Sequence, residues 1–137
     1  MNDADKRAKR MERVLKVQVQ KRQIEEWTLT HLKQRHAEID QADREILQSL
    51  DPSSELHGLF VDAKVKSLRR NDLARRDNLK AQAETEGRLR EARRGEKGVE
   101  KRRDEARREA GSASEAKTLA SNVDAFLARV PAPGGRR

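Results

Sequence analysis

The chain of 137 residues contains no cysteine and no tyrosine. Without thiols it can build no disulfide framework, no thiolate metal site and no cysteine nucleophile, which suits a reducing compartment. Aromatic residues amount to 2% of the chain, namely Trp27, Phe60 and Phe126. Apolar residues of all kinds reach only 34%, too little for a globular core of ordinary thickness. The longest run of large apolar residues is Leu59-Phe60-Val61. A membrane-spanning helix needs about 20, so no membrane insertion is expected. No apolar stretch follows Met1-Asn2-Asp3-Ala4-Asp5, so no secretory leader is expected and the chain reads as cytoplasmic. Glycine and proline are also scarce, at seven and three. Residues 1–51 hold neither, and no proline lies between Pro52 and Pro131. That scarcity argues against a disordered chain, which is ordinarily rich in both.

What remains is mostly Ala, Leu, Glu, Lys, Arg and Gln, the composition of long helices. Charged residues make up 41%, with a net charge of +8. The surplus is spread along the chain, with 11 basic and 9 acidic residues in 1–50, 11 and 8 in 51–94, and 10 and 7 in 95–137. Interleaved charges of this kind form the solvated faces of helices. A mild positive field admits acidic proteins or nucleic acid as partners and demands neither.

The punctuation predicts an all-α fold, a long antiparallel two-helix coiled-coil hairpin with a short C-terminal helix. Helix one runs from about residue 3 to 50, a turn occupies 51–54, and helix two runs from about 55 to 110. Pro52 disfavours helix at Asp51, and Ser53 or Ser54 can cap the second helix, with Glu55 in its first turn. Short connections of this sort join antiparallel helices. In the first helix, Leu32, Ile39 and Ile46 recur every seven residues, with Ile24 and Leu50 near the same face. Leu59, Phe60, Val65, Leu68, Leu79 and Leu89 offer the matching seam. A fold at Pro52 would set Ile46 against Phe60, Ile39 near Leu68 and Trp27 near Leu79.

Apolar density then fades. Val99 is the only large apolar residue between Arg90 and Ala110, where Gly95 and Gly98 weaken the helix by roughly 1 kcal/mol each. Gly111-Ser112-Ala113-Ser114 reads as a break with a new cap, opening a short amphipathic helix over 111–130. Leu119, Val123, Phe126, Leu127 and Val130 repeat there at helical spacing. Residues 131–137, rich in Pro and Gly, read as a disordered tail.

No pattern points to catalysis, so the chain reads as a non-enzyme without cofactor or metal. His31 and His36 are five apart, not the four that place two ligands on one helix face. Carboxylates are scattered among bases, and no Gly-rich phosphate loop or Gly-x-Ser-x-Gly elbow occurs. Basic pairs such as Lys6-Arg7, Lys9-Arg10, Arg75-Arg76 and Arg107-Arg108 could contact phosphates, but acidic residues follow most of them and few aromatics are present to stack on bases. A nucleic-acid-binding coiled coil, or a homodimeric scaffold whose seam forms between chains, is the alternative reading. Trp27 is either a seam residue or a partner anchor, since exposed Trp is a frequent hot spot. Leu119, Val123, Phe126 and Leu127 either cap the hairpin or offer an apolar face to a partner.

Three stretches carry a resemblance: Lys9-Arg10-Met11-Glu12-Arg13-Val14-Leu15-Lys16-Val17, Arg75-Arg76-Asp77-Asn78-Leu79 and Val123-Asp124-Ala125-Phe126-Leu127-Ala128-Arg129. With the basic, cysteine-free hairpin layout, they resemble the FliJ / YscO family of flagellar and type III secretion export. The resemblance implies a stalk protein that binds the hexameric export ATPase and links it to the export gate, beside the inner-membrane secretion apparatus. The chain departs from an uninterrupted stalk at Gly87, Gly95, Gly98 and Gly111 and in its Pro/Gly ending. No family motif assigns individual binding residues. At 1.5 Å per residue, an arm of roughly 50 residues would span about 75 Å.

Overall fold

The computed structural model describes residues 2–50 and 57–131, and residues 57–59 by their backbone only. The turn expected at 51–54 and the tail expected over 131–137 lie outside the described residues, apart from Pro131. The protein is all-α: two helices, α1 (Asp3–Ser49) and α2 (His57–Arg129), pack against each other.

Local chemistry sets the ends of α1. Asn2 caps its start, its Oδ1 accepting from the backbone N–H of Asp5 at 2.8 Å, and Asp3 and Asp5 place negative charge in the first turn. At the other end, Leu50 N–H bonds to the Leu47 carbonyl at 3.2 Å. Lys64 Nζ, reaching from α2, donates to the Ser49 carbonyl at 2.8 Å. A lysine there satisfies a carbonyl that the helix leaves orphaned and complements its negative dipole end.

The second helix is one element of 73 residues. The break expected at Gly111 and the separate helix expected over 111–130 do not occur, because α2 runs through both. Glycine weakens a helix without forbidding it, whereas a stop ordinarily needs a left-handed residue or a proline. None of Gly87, Gly95, Gly98 and Gly111 takes a left-handed φ, and the next proline is Pro131.

The contacts fall into two compact units. One comprises residues 20–94 and the other residues 1–19 with 95–137. In the first, the shielded positions of α1 include 22, 25, 29, 32, 36, 39, 43 and 46. Those of α2 include 61, 65, 68, 71, 75, 78, 82, 85, 89 and 92. Both series advance in steps of three and four. In the second unit, positions 4, 8, 11, 15 and 18 of α1 and 99, 103, 106, 110 and 113 of α2 follow the same rule.

Cross-helix bonds fix direction and register within each unit. Lys64 meets Ser49, Asn71 meets Asp43, Asn78 meets Leu32 and Arg88 meets Glu25. Partner numbers fall along α1 as they rise along α2, so the two segments run in opposite directions. In the other unit, Arg103 and Arg107 meet Glu12, and Arg7 meets Glu109. This register differs from the one expected from a fold at Pro52. Instead of Ile39 lying beside Leu68, its neighbours Asp40 and Asp43 hold Arg75, about two helical turns further along. A register read from the proline alone assumes that the connection spends residues equally on both sides. The polar contacts set it instead.

Candidate interaction surfaces

The buried line between the helices is strongly polar. Ile39 and Leu89 are buried in the unit of 20–94, and so are Asn78 and Thr85. Asn78 Nδ2 donates to the Leu32 carbonyl at 2.9 Å, while its Oδ1 accepts from Gln82 Nε2 at 2.6 Å. Thr85 Oγ1 donates to the Ala81 carbonyl at 2.8 Å and accepts from Arg88, whose Nε also reaches Glu25 at 3.2 Å. Asn78 and Thr85 thus both have partners, which removes most of their desolvation cost.

The densest cluster is ionic. Arg75 Nε binds Asp40 Oδ1 at 3.0 Å and its NH2 binds Asp43 Oδ2. Asn71 Nδ2 donates to Asp43 Oδ1 at 2.8 Å, and His36 Nδ1 lies 3.4 Å from Asp40. The hydrogen bond from Asn71, followed by that from Arg75, holds the Asp43 carboxyl below the usual carboxylate range. The same carboxylates raise the Arg75 guanidinium further above its ordinary value. This is a structural clamp: the charges satisfy each other and face no enclosed cavity.

Among the described residues, no group of three or more His, Asp or Glu side chains could hold a metal ion, and no helix is long and apolar enough to cross a membrane. The depressions on the surface are shallow shelves. One is lined by Gln20, Gln23, Ile24 and Trp27.

The residues singled out as a seam divide. Ile39 is buried, and Leu32, Ile46, Leu50 and Leu68 are half-buried. Ile24, Phe60 and Leu79 are exposed instead, and the side chain of Leu59 is not described. Trp27 is 64% exposed and packs against His31, the two rings tilted by 52° with centroids 3.9 Å apart, away from the position expected beside Leu79. The reason is phase. Continuing the steps of three and four from Ile39 towards the N-terminus leads to His36, Leu32, Leu29, Glu25 and Arg22. Ile24 and Trp27 fall off that line. The signal is present in the sequence, but the charged residues Glu25 and Arg22 hide it behind the more apolar neighbouring stripe.

Leu119, Val123, Phe126 and Leu127 are all exposed, as is every residue from 114 to 131. A further surface gathers around the basic pairs Lys6-Arg7 and Lys9-Arg10. Lys6, Lys9, Arg10, Arg13 and Lys16 are all exposed on the first turns of α1, spaced three or four apart except for the adjacent Lys9 and Arg10. None of the five has a carboxylate within ion-pair distance among the described residues, whereas Arg7 is held by Glu109. The unpaired cations therefore form one face of α1.

Comparison with known proteins returned no match: no family model, no curated protein and no solved structure is significantly similar to this chain.

Proposed function

We propose that this chain is a non-enzymatic binding protein, an antiparallel two-helix coiled-coil hairpin that holds partners along its helix faces. The three-and-four spacing of shielded positions on both helices supports the coiled-coil assignment. The observation that carries the binding role is the unpaired basic face of Lys6, Lys9, Arg10, Arg13 and Lys16. A row of cations that the fold itself does not use is suited to an acidic protein surface. Following the FliJ / YscO resemblance, the partner is a hexameric export ATPase, and the protein acts in the cytoplasm as an accessory stalk between that ATPase and its export gate. The mechanism is contact alone.

The test is co-purification of the tagged chain from native cytosol at moderate salt with nuclease present, read by mass spectrometry. The expected result is enrichment of an export ATPase and its regulators, lost when Lys9, Arg10 and Arg13 are changed to Glu. The same basic face supports a second reading, nucleic-acid binding. In that case retention disappears with nuclease, and affinity for a DNA duplex falls steeply with salt. The scarcity of aromatics disfavours base stacking, since Trp27 is the one aromatic near that face in sequence.

A further inference from the structure

Residues 114–129 form the last turns of α2, Val130 follows directly, and every one of these residues is exposed. Leu119, Val123, Phe126 and Val130 succeed one another in steps of four, three and four, so they line a single apolar stripe. Their exposure ranges from 47% at Val123 and Val130 to 65% at Phe126. This stripe does not continue the face that α2 turns to α1. That face passes through Val99, Arg103, Ala106, Ala110 and Ala113, and its extension falls on Lys117, Ala120, Asp124 and Leu127. The two lines are one residue out of phase, about 100° apart around the helix. A helix laid over this segment on the α1 side would bury Lys117 and Asp124, which is costly, and would leave the stripe open.

Charge identifies what covers it. The whole chain is 41% charged, yet residues 114–130 hold only Glu115, Lys117, Asp124 and Arg129, whose charges cancel. None of them lies on the stripe. A strongly acidic or basic partner finds nothing there to pair with, whereas an identical stripe fits without repulsion. We propose that residues 114–130 pair antiparallel with the same segment of a second copy of this chain. In that arrangement Leu119 of each copy is level with Val130 of the other, and Val123 with Phe126. Four apolar layers result, each setting a smaller side chain against a larger one. Asn122 then flanks Arg129, and Ala120 flanks Leu127, so no like charges meet.

Orientation is set by the rest of the unit. Residues 1–19 and 95–113 together carry twelve basic and eight acidic side chains. Parallel pairing would set these surpluses side by side, and antiparallel pairing sets them at opposite ends. Four layers make a small interface, so the dimer is weak, with a dissociation constant between about 1 μM and 1 mM. The inference does not depend on the export partner, because it concerns the purified chain alone.

The test is sedimentation equilibrium of the full-length chain up to about 1 mM. The wild type is expected to shift reversibly from monomer to dimer. Phe126→Ala should weaken the dimer by at least ~tenfold, while Leu73→Ala, at another exposed leucine of α2, should leave it unchanged. Because the chain has no cysteine, introduced thiols report orientation directly. A mixture of Leu119→Cys and Val130→Cys chains should form a disulfide between the two variants, and Leu119→Cys alone should form none. A monomer at every concentration overturns the proposal. So does a dimer indifferent to Phe126→Ala, or a Leu119→Cys chain that cross-links to itself.

Discussion

Two side chains show what the polar line between the helices does. Asn78 is buried and spends its amide on the Leu32 carbonyl and on Gln82. Removing it leaves the amide of Gln82 and one carbonyl lone pair short of a partner, so Asn78→Ala should cost about 1–2 kcal/mol in urea denaturation. Asn78→Leu keeps the volume but leaves the same two groups unpaired, so it should also destabilise, by no more than Asn78→Ala does. Asp43 makes the fold pH-dependent. Its folded pKa lies below the unfolded value, through Asn71 first and Arg75 second. A depressed carboxylate contributes stability that is present above the unfolded pKa of about 3.9 and is lost as pH falls through the lower folded value. The wild type should therefore exceed Asp43→Asn in stability at neutral pH, and the gap should close on acidification below about pH 4. A gap that stays constant down to low pH would show that Asp43 acts by packing instead of charge.

At the level of the helices, the glycines of α2 separate by environment. A methyl group added at Gly98 or Gly111 meets nothing within 4 Å, whereas at Gly95 it meets Gln18 Oε1 at 2.9 Å. Gly98→Ala and Gly111→Ala should each stabilise the protein by about 0.5–1 kcal/mol, measured by denaturation monitored by circular dichroism. Gly95→Ala should gain less, since Gln18 must swing aside first. The all-helical class is legible from the sequence because Ala, Glu, Lys, Arg and Gln dominate and proline is missing from both helical stretches. The register is not. It is held by Asp40, Asp43, Asn71, Arg75 and Asn78, which read as surface residues when only apolar positions are counted. The run through Gly111 escapes a sequence reading for a related reason, because a weak helix position resembles a stop when the strong formers on either side are left out of account. Of the candidate surfaces, the apolar end of α2 stands out in sequence by its spacing. The basic pairs Lys6-Arg7 and Lys9-Arg10 are visible in sequence too, but only the fold shows that Arg7 and Glu12 are occupied elsewhere and that the other cations share one face.

For the molecule as a whole, burial is the limiting quantity. Among the described residues, the buried apolar side chains are only Ile39, Leu89, Val99 and Ala106. The urea dependence of the unfolding free energy should therefore fall below the slope typical for this chain length. With so little apolar area holding the two helices, what prevents one from sliding along the other is the set of polar partners in residues 20–94. A slip of one repeat, seven residues, would separate Asn78 from the Leu32 carbonyl, Asn71 from Asp43 and Arg75 from both of its carboxylates together. Seven residues along α1 in either direction, the places of Asp40 and Asp43 are held by Leu47 and Leu50 or by Lys33 and His36, so Arg75 would find no carboxylate there. Under a lengthwise pull on one helix, this stretch therefore has no intermediate notch in which to rest: it carries the load at its single setting, and when it yields it does so all at once.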